Sequence, residues 1–139
     1  MYPDITVLPK FVFDDKGSYF GNTTYFIPNS DRYIQGLLCS RMLWWQLTSM
    51  VRLMRGGYLR LFSQYMEALP ITRAKSVDQR KITSLAEALS SDDCPNCLAL
   101  EAELNDRVAA LYGLTAEERK IISGLAPLHS HSLEESREE

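Results

Sequence analysis

Between Asp31 and Met54 the chain runs through a long apolar segment with no proline, interrupted by Arg41 and Arg52. At a period of 3.6 residues, Tyr33, Leu37, Trp44, Leu47, Val51 and Met54 fall on one face, broken only by Ser40, and Ile34, Leu38 and Trp45 widen it. Asn29, Ser30 and Asp31 are all suitable N-cap residues, and Gly56-Gly57 offers a stop. The spacing predicts one central helix whose apolar surface is wide enough to need more than one neighbour. Arg41, Arg52 and Arg55 lie in one sector at the edge of that face. The two internal arginines make the segment too polar for a membrane span.

Short β material precedes it. Ile5 to Leu8 and Phe11 to Phe13 read as strands separated by Pro9, and Asp14-Asp15-Lys16-Gly17 reads as a hairpin turn closed by Gly17. Tyr19-Phe20 starts a return strand, Gly21-Asn22 is a second turn, and Thr23 to Ile27 is β-branched and aromatic up to Pro28. Tyr58 to Phe62 fits strand or helix. Ser63 can cap a short turn through Met66 and Leu69 before Pro70.

From Ser76 the pattern is helical. Ile82, Leu85, Ala86 and Leu89 form one face, and Leu100, Leu104, Val108 and Leu111 form another, ended by Gly113. The short loop Asp92–Asn96 predicts that these two helices pair as a hairpin. Thr115 with Glu118 makes a capping box for a short third helix bearing Ile121 and Ile122. The fold class expected is α+β: a small antiparallel sheet packed on a long central helix, then a C-terminal helical hairpin and a short third helix.

Charge is unevenly spread. Residues 1–73 carry eight Lys/Arg against five Asp/Glu, and residues 74–139 carry seven against thirteen, within a net charge of −3. A basic first half suits a polyanionic partner, and an acidic second half suits a solvated one. The N-terminal residues show no basic start followed by an apolar run, so no secretory leader is expected. The odd count of three cysteines has no disulfide-framework spacing. A cytoplasmic, reduced setting is the expectation.

Recognisable catalytic signatures are few. The sequence holds no Gly-rich phosphate loop, nucleophile elbow or metalloprotease motif, and its only histidines are His129 and His131. Cys94 and Cys97 have the spacing of half a zinc site that His129 and His131 could complete, against the plainer reading of a loop with two incidental thiols. Pro3-Asp4 followed by Asp14-Asp15-Lys16 resembles the PD-(D/E)xK pattern of divalent-metal nucleases. That chemistry requires Asp4, Asp14 and Asp15 to converge with Lys16 nearby. The alternative is a solvated turn. Lys10, Lys16, Tyr19, Asn22, Arg55, Tyr58 and Arg60 are a different set: cationic, amphipathic or amide side chains beside turns and glycines. Such residues suit phosphate and base-edge contacts. The plainer reading places the tyrosines in the core and the arginines in solvent.

Read in order, Tyr2-Pro3-Asp4-Ile5, Pro9-Lys10-Phe11, Asp14, Gly17-Ser18-Tyr19, Asn22 and Tyr25-Phe26-Ile27 resemble the TaqI-type C-terminal specificity domain. Leu37-Leu38-Cys39-Ser40-Arg41, Arg55-Gly56-Gly57-Tyr58-Leu59-Arg60 and Tyr65-Met66-Glu67-Ala68-Leu69-Pro70-Ile71 continue the resemblance. Leu104-Asn105, Val108, Leu111-Tyr112-Gly113-Leu114-Thr115 and Glu117-Glu118 resemble the helical end of the same proteins. The resemblance covers roughly residues 2–124. It implies the target-recognition part of an adenine-specific DNA methyltransferase or fused type IIG restriction-modification enzyme.

Such parents transfer a methyl group from S-adenosylmethionine to a flipped adenine through an (Asn/Asp)-Pro-Pro-(Tyr/Phe) motif. This sequence contains neither that motif nor a Gly-rich cofactor loop, so it is expected to be non-catalytic by itself and to need no cofactor of its own. The organisation implied is a partial DNA target-recognition domain over 1–73, a helical spacer over 74–126 and a disordered acidic tail over 127–139. The partners implied are double-stranded DNA and a methyltransferase catalytic domain. If a missing N-terminal portion normally covers the wide apolar helix face, self-association is also expected. A helical protein-interaction module without DNA binding is the alternative, and the nuclease is third.

Overall fold

A computed structural model describes residues 1–124. The expected tail over 127–139, with His129 and His131, lies outside the described residues. The architecture is α+β. The described residues form four two-residue strands, β1 (Tyr2–Pro3), β2 (Ile5–Thr6), β3 (Thr24–Tyr25) and β4 (Leu59–Arg60), and six helices, with β4 falling between the second and third helix. These are α1 (Arg32–Leu38), α2 (Arg41–Met50), α3 (Ser63–Glu67), α4 (Ser76–Leu89), α5 (Cys97–Leu111) and α6 (Ala116–Ser123). β1 pairs antiparallel with β3, and β2 pairs antiparallel with β4.

The central segment is two helices, not the single one that the apolar spacing predicts. Asp31 caps α1, its carboxylate accepting the Ile34 N–H at 2.9 Å. The break falls at Ser40, whose backbone is extended (φ −73°, ψ 152°). Its hydroxyl donates to the Leu37 carbonyl and accepts from the Leu43 N–H, so one side chain closes α1 and opens α2. A serine that competes with the backbone for its own neighbours favours caps over helix interiors. Ser40, the one break in the apolar face, is fully buried.

The second correction concerns Gly56-Gly57. The helix ends at Met50, before the glycines, and Leu53 bridges to Leu59 across a hairpin. Gly56 (φ 85°) and Gly57 (φ 78°) make the turn, with Met54 N–H donating to the Tyr58 carbonyl at 2.8 Å. Two consecutive left-handed residues are a hairpin signal as much as a helix stop. Met54, expected on the buried face, is therefore exposed.

The first-half hairpin also differs. Gly17 does have positive φ (70°), but Phe11–Phe13 and Tyr19-Phe20 are not strands. The Asp14 carboxylate organises this loop instead, accepting the N–H groups of Lys16 and Ser18 and the Ser18 hydroxyl. The β2 strand finds its partner far along the chain, in β4.

The later helices follow their sequence signals. Ile82, Leu85 and Ala86 of α4 are buried, as are Leu104 and Val108 of α5. Gly113 (φ 67°) follows the α5 C-cap Tyr112, and both arms of the Thr115–Glu118 capping box form. Cys94 and Cys97 are joined as a disulfide, against the expectation of free thiols. Spaced by three, they sit where the loop meets the first turn of α5, at a Cα separation of 5.4 Å that a disulfide can bridge.

Leu37, Leu43, Leu47, Leu59, Leu61, Ile82, Leu104 and Val108, each fully buried, belong to one hydrophobic cluster spanning both halves of the chain. α1 lies closely on α4. A β-carbon placed on Gly36 would stand 2.8 Å from Ile82 Cγ2, so this contact requires glycine. Tyr33 donates its hydroxyl to the Thr72 carbonyl at 2.7 Å. The Tyr112 hydroxyl accepts the Thr72 N–H at 3.2 Å and donates to the Pro70 carbonyl. Two phenols thus fix the connection between α3 and α4. Among the described residues, no helix is long and apolar enough to cross a membrane.

Candidate nucleic-acid interface

The seven polar residues singled out in the sequence are all exposed: Lys10, Lys16, Tyr19, Asn22, Arg55, Tyr58 and Arg60. Tyr19 projects entirely into solvent, and Tyr58 is 43% exposed. The plainer reading, with these tyrosines in the core, is therefore incorrect for both.

The residues fall into three groups. Lys10 and Lys16 flank a groove of about 680 Å³ between the 8–16 stretch and α1, α4 and α5, with Phe11 and Leu104 in its lining. Tyr19 and Asn22 belong to the loop before β3. Arg55, Tyr58 and Arg60 belong to the hairpin that contains β4.

The second and third groups are joined through Asp4, between β1 and β2. Its N–H donates to the Thr23 carbonyl at 2.9 Å, next to Asn22. Its own carbonyl accepts the Leu61 N–H at 2.8 Å, next to Arg60. Five residues at the start of the chain thereby hold the loop and the hairpin side by side. The hairpin's return arm alternates strictly: Leu59 and Leu61 are buried, while Tyr58, Arg60 and Phe62 face outward. The register pairs Ile5 with Arg60 and Thr6 with Leu59, so exposed Ile5 shares the outer face with Arg60 and buried Thr6 shares the inner face with Leu59.

Arg60 is held on two sides. Its Nε lies 3.5 Å from Asp4 Oδ1, and its guanidinium stacks 4.7 Å from the centre of the Phe62 ring. The Asp4 side chain is only 16% exposed. Asp4 and Phe62 are partners that the residue-type reading missed. The period-two alternation of Tyr58-Leu59-Arg60-Leu61-Phe62 was the available signal for Phe62; the pairing to Asp4 had none.

The remaining electrostatics are structural. The N–H of Ser18, with help from its hydroxyl and the Lys16 N–H, holds the Asp14 carboxyl below its usual range. Burial pushes the Cys39 thiol up to about 11, its sulfur lying 3.6 Å from the Phe11 carbonyl. Arg41 spans the gap to the later helices: its N–H donates to Asn105 Oδ1 at 2.9 Å, and its guanidinium lies 3.9 Å from buried Glu101. Among the described residues, no group of three or more His, Cys, Asp or Glu side chains is placed to hold a metal ion. The convergence of Asp4, Asp14 and Asp15 that a nuclease requires is not found: Asp4 faces Arg60, and Asp14 is folded into its own turn.

Over 127 residues, 89% of its length, the chain is 31% identical to the Type II methyltransferase M.PaeR7I of Pseudomonas aeruginosa. The chain spans 21% of that relative, about one fifth of its length. No family model matches the sequence. No solved structure matches it either. The chain is thus similar to one segment of a type II methyltransferase.

Proposed function

We propose that the chain is the DNA sequence-recognition segment of a restriction-modification methyltransferase, of the TaqI-type specificity class, and that it performs no methyl transfer by itself. One observation carries the reading. Similarity to a segment of a type II methyltransferase coincides with a sequence that has no (Asn/Asp)-Pro-Pro-(Tyr/Phe) motif and no Gly-rich cofactor loop. Exposed Arg55, Tyr58 and Arg60 on a hairpin whose return arm also pairs with β2 support it, because short antiparallel strands are among the elements that read a DNA groove. Lys10 and Lys16 add charge at a separate groove, suited to the phosphate backbone. Tyr19 and Asn22 stand beside the hairpin, where groove contacts continue. The catalytic domain, with its S-adenosylmethionine, is the protein partner that this reading requires. The late helices α4 to α6 are the surface we assign to it.

The test is equilibrium binding of the full-length protein to duplex DNA across a range of salt. Replacing Arg55 and Arg60 together by alanine is expected to weaken binding at least tenfold. Loss of one phosphate contact also flattens the salt dependence by about one ion. If affinity and salt dependence both stay at wild-type values, the hairpin is not the interface.

A further inference from the structure

Among the exposed cations, Arg60 is distinguished by being supported on two sides before any ligand arrives. Its guanidinium carbon lies over the Phe62 ring, 4.7 Å from the ring centre, and Asp4 faces its Nε edge. Asp4 is itself anchored through its backbone at both ends, by Thr23 and by Leu61. Asp4 Oδ1 is buried and accepts no hydrogen bond, so the Arg60 charge is the compensation it receives. Asp4 attracts the Nε side by charge alone, and the terminal nitrogens are left to bind something else. Among the described residues, no protein group takes a hydrogen bond from them.

Such a side chain is poorly suited to following phosphates. Paired with Asp4, Arg60 brings little net charge to the counterion release that drives phosphate binding. A fixed planar pair of donors on the outer face of a β-ribbon matches two acceptors at a fixed separation, the O6 and N7 of guanine in the major groove. We infer that Arg60 reads a guanine in the recognised site, and that Asp4 and Phe62 are positioning residues that hold its guanidinium for that contact. The inference rests on the DNA-recognition reading above. It gives Asp4 a part in specificity in place of the metal role that its sequence context suggested.

The experiment uses the full-length protein and a pool of randomised duplexes, from which bound sequences are selected and counted position by position. Wild type is expected to select guanine at one position where Arg60→Lys prefers it about tenfold less, because an ammonium is a point charge without the fixed fork. Phe62→Leu and Asp4→Asn should relax the same position and no other. Arg60→Lys is the decisive variant, since it sits on the surface and keeps the charge. The Asp4 variant is read only after its thermal melt matches wild type. The salt dependence should stay constant across the set. Replacing the selected guanine by 7-deazaguanine should cost wild type about tenfold and Arg60→Lys nothing further.

If Arg60→Ala flattens the salt dependence by about one ion and weakens all sequences equally, Arg60 is a phosphate contact and the inference is overturned. The recognition function survives that result. If wild type selects no sequence at all, both the inference and the recognition reading fail.

Discussion

The contact between α1 and α4 and the ribbon around Asp4 are built on opposite terms. At the first, the Ile82 side chain lies so close to Gly36 that a methyl group there would clash, and Leu37, Ile82, Leu104 and Val108 are sealed from solvent. At the second, strands of two residues each carry Leu59 and Leu61 inward and leave Ile5, Tyr58, Arg60 and Phe62 in water. Apolar burial stabilises in proportion to area, and at the helical contact both partners contribute sealed side chains. The ribbon exposes side chains that a stability-optimised surface would not keep. One region resists change, and the other is free to vary what it presents.

That division can be broken by substitution. Leu104→Ala, which empties a fully buried site, should cost roughly 2–5 kcal/mol in denaturant titration. Gly36→Val should cost roughly 1–3 kcal/mol by forcing α1 off Ile82, even though valine is the better helix former. Tyr112→Phe should come next at about 1–2 kcal/mol, from the lost hydroxyl contacts to Pro70 and Thr72. Arg55→Ala lies at the other end: a change in stability within about 0.5 kcal/mol, together with weaker DNA binding. If Arg55→Ala destabilised the fold as much as Leu104→Ala, the contrast between the regions would be wrong.

The smallest effect concerns the Asp14 loop. The folded-state pKa of Asp14 is depressed, so whatever this carboxylate contributes is present above its ordinary value of 3.8 and is lost as pH falls through the lower one. A carboxyl NMR titration should find its midpoint below 3.8. Ser18→Ala should raise it part of the way, because the Ser18 N–H remains. A wild-type midpoint at or above 3.8 would mean that the loop around Tyr19 is not held as described.

What was legible in the sequence follows the same boundary. The helices after Ser76 announced themselves because their signals are local: the Thr115–Glu118 box, Gly113, and apolar residues at helical spacing. The α+β character was legible for the same reason. The Ser40 break was not, since a single serine on an apolar face reads as one polar position, while the hydroxyl bonds that redirect the backbone show only in the structure. Gly56-Gly57 was read as a stop, and only the pairing of Leu53 with Leu59 reveals a hairpin. At the site, the surface position of all seven residues was foreshadowed by the turns beside them. The union of Asp4 with Arg60 was out of reach, because strand pairing between residues so far apart leaves no mark in either segment.

The double pairing of the opening strand also orders events in time. Tyr2 meets Tyr25 across 23 residues of chain, and Ile5 meets Arg60 across 55. Closing the longer loop costs about 0.8 kcal/mol more entropy than the shorter, and nearby helical turns precede both. Folding should therefore begin at α4 and α5, whose contacts are close in sequence, and end when residues 2–6 zip onto the hairpin. Native-state hydrogen exchange should show the reverse: the Leu61 amide, bonded to Asp4, should open at lower free energy than the Val108 amide within α5. The surface assigned to reading DNA is then the last to be assembled and the first to be released, a late-closing clasp on a body that folds without it.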